Sequence, residues 1–332
     1  MDFQDIIRSS DPFEDILGQE DVKFNLKSAL ISGRHVIIVG PPGVGKTTLA
    51  KNVAKLLPEI EVMDCGFNCS PDKPKCPKCL HGKSKKRIKI SGEKRFVRVQ
   101  GSPDLTAEDL IGDIDPIKAM EFGPLSIEAF TPGKIFKANN GVLFFDELNR
   151  APEKLQNALL QVLSERRVTI GSYDLDFEAD FIFIATMNPE DTSTEKLSDV
   201  LLDRFDIIYM SHPETPKIEE EIALMKGKSL VSYPKDVLEK TVLFVRLLRE
   251  SNILEKPPSV RATLGLYERA QANALIKGKK GVSWEDVAEA VVSVLSHRIR
   301  LKPSHKYLQS PADFLKEQLE KFSEEYIKGG VG

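Results

Sequence analysis

The residues best suited to chemistry fall in a few short stretches. Gly40, Pro41, Pro42, Gly43, Val44, Gly45, Lys46, Thr47 and Thr48 form a G-x-x-x-x-G-K-[ST] phosphate loop. Glycine at these points lets backbone approach a triphosphate, and free N–H groups at the start of a helix face its oxygens. Lys46 then carries a positive charge to the β- and γ-phosphates, and the Thr47 hydroxyl is placed to ligate Mg2+. Downstream, VLFFDE ends in Asp146 and Glu147. Asp146 is placed to hold magnesium through water, and Glu147 to orient and deprotonate the attacking water. Asn188, just past FIFIAT, is placed to polarise that water or sense the γ-phosphate, unless it is only the turn residue of an Asn-Pro pair. Arg204 suits an arginine presented across a subunit boundary, with a structural ion pair to the adjacent Asp203 as the plainer alternative.

A second chemistry lies in DCGFNCSPDKPKCPKC. All four cysteines of the chain, Cys65, Cys69, Cys76 and Cys79, sit there with the spacing C-x3-C-x6-C-x2-C. Two close pairs on turn-rich backbone favour a structural Zn2+ knuckle over disulfides, with reduced, unligated thiols as the alternative. His81 could replace one ligand or be a surface histidine. The run that follows holds Lys83, Lys85, Lys86, Arg87, Lys89, Lys94, Arg95 and Arg98 against the single acid Glu93. It could hold nucleic acid or be a solvated loop, and aromatics able to stack on bases are almost absent apart from Phe96.

The positioning elements follow from the apolar pattern. Val36 to Val39 is a β-branched run that reads as a doubly buried strand, and Leu49, Val53, Leu56 and Leu57 put a helical stripe after the loop. Val22, Leu26, Ala29 and Leu30 place a helix within 13–33, stopped by Gly33. From Pro58 to about residue 94 no period is visible. RFVRVQ, VLFFDE, FIFIAT and FDIIYM read as further strands, and Thr106 as an N-cap. Residues 113–133 read as an excursion broken by glycine and proline. Leu155, Ala158, Leu159, Val162 and Leu163 form a helix stripe, and RVTIGSYDLDF reads as a hairpin turning at Gly171 and Ser172. After His212 the alternation stops and helical patterns follow at 217–227, 235–250, 259–277, 283–299 and 310–328. An α/β nucleotide-binding domain over 1–215, with inserts at 58–94 and 113–133, and a helical domain over 216–332 are therefore expected. On pattern alone, Arg261 is a surface arginine.

The chain has 332 residues and a formal net charge of −3, which neither demands nor excludes nucleic acid. No apolar run approaches the ~20 residues a membrane helix needs, so membrane insertion is not expected. The acidic N-terminus, MDFQDIIRSSDP, does not read as a signal peptide, so a cytoplasmic setting is expected.

In order, GPPGVGKT, GVLFFDELNRAP, IATMNPED, LLDRFD and PSVRATLGLYERAQANAL resemble the Walker A, Walker B, sensor 1, arginine-finger and sensor 2 segments of AAA+ ATPases. The likeness is to the MoxR family and the related magnesium-chelatase motor subunits. LIGDIDPIKA to FTPGKIFKANNG resembles the helix-2 insertion of that clade. The resemblance implies a three-layer αβα core around a parallel five-stranded sheet with an all-helical lid. It implies Arg204 acting in trans, Arg261 as the second sensor, and a homo-oligomeric, hexameric ring. It also implies a chaperone-like role on a protein client, with a separate von Willebrand A domain protein as partner. Metal insertion into a tetrapyrrole and nucleic-acid loading are the alternatives.

Overall fold

The computed structural model describes residues 5, 7–8, 13–74, 76–80, 82, 86–124, 126–170, 175–189 and 197–328. Its contacts divide the chain into two compact units. One comprises Met1–Ile16, Glu20–Gly40 and Gly45–Met210; the other comprises Leu17–Gln19, Pro41–Val44 and Ser211–Gly332.

The first unit is built on a parallel sheet of five strands: β1 (His35–Val39), β4 (Phe96–Gln100), β7 (Val142–Asp146), β10 (Ile182–Met187) and β11 (Phe205–Tyr209), in the order β11-β1-β10-β7-β4. The central strands are apolar on both faces because both faces are covered. Val36, Ile37, Ile38, Leu143, Phe144, Phe145, Phe183 and Ile184 are fully buried. The register Val39↔Met187, Ala185↔Phe145 and Gln100↔Asp146 aligns the C-terminal ends of β1, β10, β7 and β4 along one edge. Helices α1 (Glu20–Ile31), α2 (Lys46–Leu56) and α6 (Glu153–Glu165) each turn an apolar stripe inward: Val22, Leu26 and Leu30; Leu49 and Val53; Leu155, Leu159 and Val162.

Three additions decorate this sheet. The stretch from Pro58, which lacks a readable period, is closed by an antiparallel pair, β2 (Ile60–Met63) with β3 (Arg87–Ile90). Four residues per strand give too few alternations to read. The second addition pairs β5 (Gly112–Ile114) with β6 (Phe130–Pro132) around α4 (Pro116–Phe122). It is entered by α3 (Ala107–Ile111), whose N-cap Thr106 forms a capping box with Asp109. It is left through α5 (Lys134–Lys137). In α4, Ile117 and Met120 are 78% and 91% exposed. The third is the hairpin of β8 (Arg167–Ile170) and β9 (Leu175–Glu178); its expected turn at Gly171 and Ser172 lies outside the described residues. A short α7 (Asp199–Leu202) precedes β11.

The second unit is mainly helical: α8 (Pro216–Lys226), α9 (Lys235–Glu250), α10 (Val260–Ile276), α11 (Trp284–Leu295) and α12 (Pro311–Phe322). A short ladder of β12 (Leu254–Lys256) with β13 (Arg300–Leu301) joins them. Inside it, the Glu219 carboxylate is wholly buried and accepts from both Arg249 Nη atoms at 2.5 and 2.7 Å and from Thr263 Oγ1 at 2.5 Å. Burial pushes that carboxyl up, but Arg249 and Thr263 outweigh it and hold the group ionised below its ordinary range.

Candidate nucleotide site and cysteine cluster

The phosphate loop leaves β1 at Gly40, where backbone packs so closely that a Cβ would stand 2.1 Å from the Met210 carbonyl oxygen. It enters α2 through Gly45, at φ 108°, a left-handed conformation that L side chains rarely adopt. Gly45 gives α2 no side-chain cap, and a helix start of this kind turns backbone N–H groups toward an anion. The cradle therefore fits a phosphate chain. Lys46 Nζ donates to the Gly40 carbonyl oxygen at 2.6 Å, which folds the lysine back over the loop.

Asp146 ends β7, and Glu147 follows in a left-handed conformation at φ 58°, ψ 56°. A single side chain organises both. The buried Thr186 hydroxyl, on the neighbouring β10, donates to Asp146 Oδ1 at 2.6 Å and accepts from the Glu147 N–H at 3.0 Å. The opposite neighbour, β4, supplies two more partners. Arg98 Nη2 lies 2.5 Å from Asp146 Oδ2, and Gln100 Nε2 donates to Glu147 Oε2 at 3.0 Å. Arg150 Nη1 stands 3.2 Å from the same Glu147 oxygen. None of Thr186, Gln100 or Arg150 is singled out as a site residue by sequence, and Arg98 only as a member of the basic run. The available signal is a polar residue near the C-terminal end of an otherwise apolar strand, as in FIFIAT.

Asn188 is half-buried one residue beyond β10, on the same sheet edge as Gly40 and Glu147. Arg204 precedes β11; its Nε donates to Ser164 Oγ at 2.6 Å and its Nη1 to the Val200 carbonyl at 2.5 Å. In the second unit, Arg261 is exposed near the start of α10, and its Cγ stands 3.1 Å from where a Cβ on Gly43 would lie.

The four cysteines converge. Their Sγ atoms all lie within 4.8 Å of one another, with Cys65, Cys69 and Cys76 buried and Cys79 half-buried. Their thiols interact: hydrogen bonds from Cys69 and Cys76 hold Cys65 far below its ordinary value, while Cys76 is pushed up by its hydrogen bonds with Cys65 and Cys69, and burial pushes Cys79 up to about 12. His81, Lys83 and Lys85 lie outside the described residues.

The rest of the basic run is largely engaged within the chain. Arg95, expected in solvent, is only 2% exposed. Its guanidinium donates to the Pro58 and Asn140 carbonyl oxygens, and burial lowers its pKa. Lys86 pairs with Asp64 and Arg87 with Glu61.

A phosphate loop at the end of one central strand, an acidic pair two strands away and a helical second unit define an AAA+ ATPase, and the chain belongs to that class. Family models agree. Residues 75–207 match the ATPase family associated with various cellular activities (AAA), 257–318 match the AAA lid domain, and 12–66 match magnesium chelatase, subunit ChlI. The chain is related to magnesium-chelatase ChlI subunits. The ChlI homolog of Methanocaldococcus jannaschii is 29% identical over 347 residues, covering 95% of this chain and 91% of that protein. ChlI of Synechocystis sp. is 28% identical over 328 residues, covering 88% and 89%. In structure, the chain is similar to one solved in a complex between the BchI and BchD subunits of magnesium chelatase. Its TM-score is 0.52 at 24% identity, covering 90% of this chain and 98% of that one, which supports the shared fold. Among the described residues no helix is long and apolar enough to cross a membrane.

Proposed function

We propose that the chain is the ATP-hydrolysing motor subunit of a hexameric, cytoplasmic ring that couples nucleotide turnover to the remodelling of a separate protein client. The observation that carries this reading is the Thr186 hydroxyl joining Asp146 and Glu147 on the strand beside the phosphate loop. Residues 1–215 are the nucleotide-binding core and 216–332 the lid. In this reading residues 40–48 grip the triphosphate, and Lys46 balances its β- and γ-charge. Thr47 and Asp146 hold Mg2+, which neutralises charge developing on the phosphate oxygens. Glu147 takes the proton of the attacking water, Asn188 orients that water, and Arg261 registers the phosphates from the lid. Arg204 reaches the neighbour's nucleotide after releasing Ser164 and Val200.

The exposed Ile117 and Met120 on the β5–β6 insertion support a protein client, because apolar side chains in water mark contact surfaces. In the MoxR-like form of this reading a von Willebrand A domain protein is the partner. The ChlI relatives favour a second form, in which the ring drives metal insertion into a tetrapyrrole through a larger subunit. Nucleic-acid loading has less support, since Lys86, Arg87, Arg95 and Arg98 are engaged within the chain.

Glu147→Gln is expected to retain bound ATP without hydrolysing it, and normal turnover would remove Glu147 as the water activator. Arg204→Ala chains alone should lose about 10³-fold or more in rate. Mixed with Glu147→Gln chains, they should regain part of it at interfaces that join two intact groups. No regain in mixed rings would make Arg204 structural. Glu147→Gln used as bait should also retain the client, and its identity separates the two forms.

A further inference from the structure

We propose that the four cysteines hold one zinc-class divalent ion in a tetrahedral thiolate site, and that this site is a clamp positioning residues 130–141, the lead into the strand that ends at Asp146. A tetrahedral ion with bonds of about 2.3 Å places its sulfurs about 3.8 Å apart. Four Sγ atoms all within 4.8 Å of one another fit that set with little movement. Two tight turns deliver them. Gly66 (φ 84°) and Asn68 (φ 47°) bend the chain between Cys65 and Cys69, and the Cys79 and Leu80 N–H groups close a turn onto the Cys76 carbonyl at 3.0 and 2.9 Å. The Cys76 N–H points at Cys69 Sγ at 3.4 Å, the outer-shell contact expected of a ligating thiolate.

The same turn is fastened to the approach to β7. Asn139 Nδ2 donates to the Phe67 carbonyl at 3.0 Å, Asn140 Nδ2 to that of Asn68 at 3.1 Å, and Asn68 Nδ2 to that of Lys137 at 2.8 Å. The Phe67 ring packs on Phe136 and Phe130 with centroids 5.0 and 6.3 Å apart. Asn139 carries the link onward by accepting the Asp180 N–H at 3.0 Å, just before β10. β10 and β7 carry Thr186 and Asp146, so a loosened cysteine turn releases both strand entrances together. The turn carries three buried thiols and one half-buried one, and an ion binding all four would fix its shape from within.

The test uses the full chain. Protein purified under reducing conditions without chelator is expected to contain about one zinc per chain by elemental analysis. Exchange for cobalt(II) should produce the visible bands and thiolate charge-transfer absorption of a tetrahedral S4 site. Stripping the ion with a thiol-directed mercurial and a chelator should speed amide hydrogen exchange at 130–141 by tenfold or more and leave α9 and α10 unchanged. Asn139→Ala should keep the ion yet show the faster exchange. Less than one tenth of an ion per chain with no cobalt bands, or a disulfide found by mass spectrometry in the reduced preparation, would overturn the metal site. A bound ion whose removal leaves exchange at 130–141 unchanged would overturn the clamp. Only a fall in ATP turnover on stripping rests on the motor reading, and metal content and exchange stand apart from it.

Discussion

Replacing Thr186 by valine removes one hydroxyl and preserves shape and volume. In the native site that hydroxyl donates to the Asp146 carboxylate at 2.6 Å and accepts the Glu147 N–H at 3.0 Å, in a position with no solvent exposure. The methyl group of valine occupies the space of the hydroxyl and admits no water, so the Glu147 N–H and Asp146 Oδ1 both lose this partner. A hydrogen bond to a charged group contributes roughly 1.5–3 kcal/mol, and a stranded buried N–H costs roughly 1–3 kcal/mol. The sum, roughly 2.5–6 kcal/mol, is large beside a typical domain stability of roughly 5–15 kcal/mol. Part of the loss should be recovered by Glu147 leaving its left-handed backbone conformation, and in the proposed motor reading that relaxation would move the carboxylate away from the attacking water. We expect unfolding by urea to shift by about 2–4 kcal/mol and saturated ATP turnover to fall by about 10- to 100-fold, with ATP affinity changed much less. Thr186→Ser keeps the hydroxyl and should recover most of both. Turnover and stability within a factor of two of wild type in Thr186→Val would refute the shared-hydroxyl argument.

Breaking the buried Glu219 cluster with Arg249→Met should destabilise the C-terminal unit by about 3–5 kcal/mol, because it strands an ionised carboxylate. Adding Glu219→Gln should recover part of that in denaturant titrations, and an Arg249→Met midpoint equal to wild type would count against the cluster. His35 accepts the Phe183 N–H at Nδ1 and is held down to about 4 by burial, aided by Arg166 and Arg34. The unfolded chain takes up that proton near the ordinary value of 6.5 and the folded chain only near 4. Its contribution, at most about 3 kcal/mol, is therefore intact above about pH 6.5 and is lost on acidification toward pH 4. His35→Phe should flatten the loss of stability over that interval, and an unchanged slope would exclude His35 as its source.

The elements of the sheet were legible because their signals are local. Four apolar residues, a glycine loop and a helical stripe suffice to read β1, the loop and α2, and the DE pair ends an unbroken apolar run. The partners that orient the acidic pair were not legible, because register creates them. Thr186 meets Asp146 and Glu147 only because β10 lies beside β7, and Gln100 meets Glu147 only because β4 lies on the other side. Arg95 reads as one more member of a basic run. It is buried because the carbonyls of Pro58 and Asn140 turn inward and need a donor. The cysteine turn was visible from its spacing, but the asparagines that fasten it lie some seventy positions away.

The acidic pair is not bare. Arg98 rests on Asp146, and Gln100 and Arg150 rest on Glu147. In the motor reading proposed above, a polyanion arriving with magnesium would meet carboxylates already paired with resident donors, and loading would exchange Arg98 for the metal at Asp146. Arg98, released by that exchange, would remain at the edge of the sheet as a positive charge beside the phosphates.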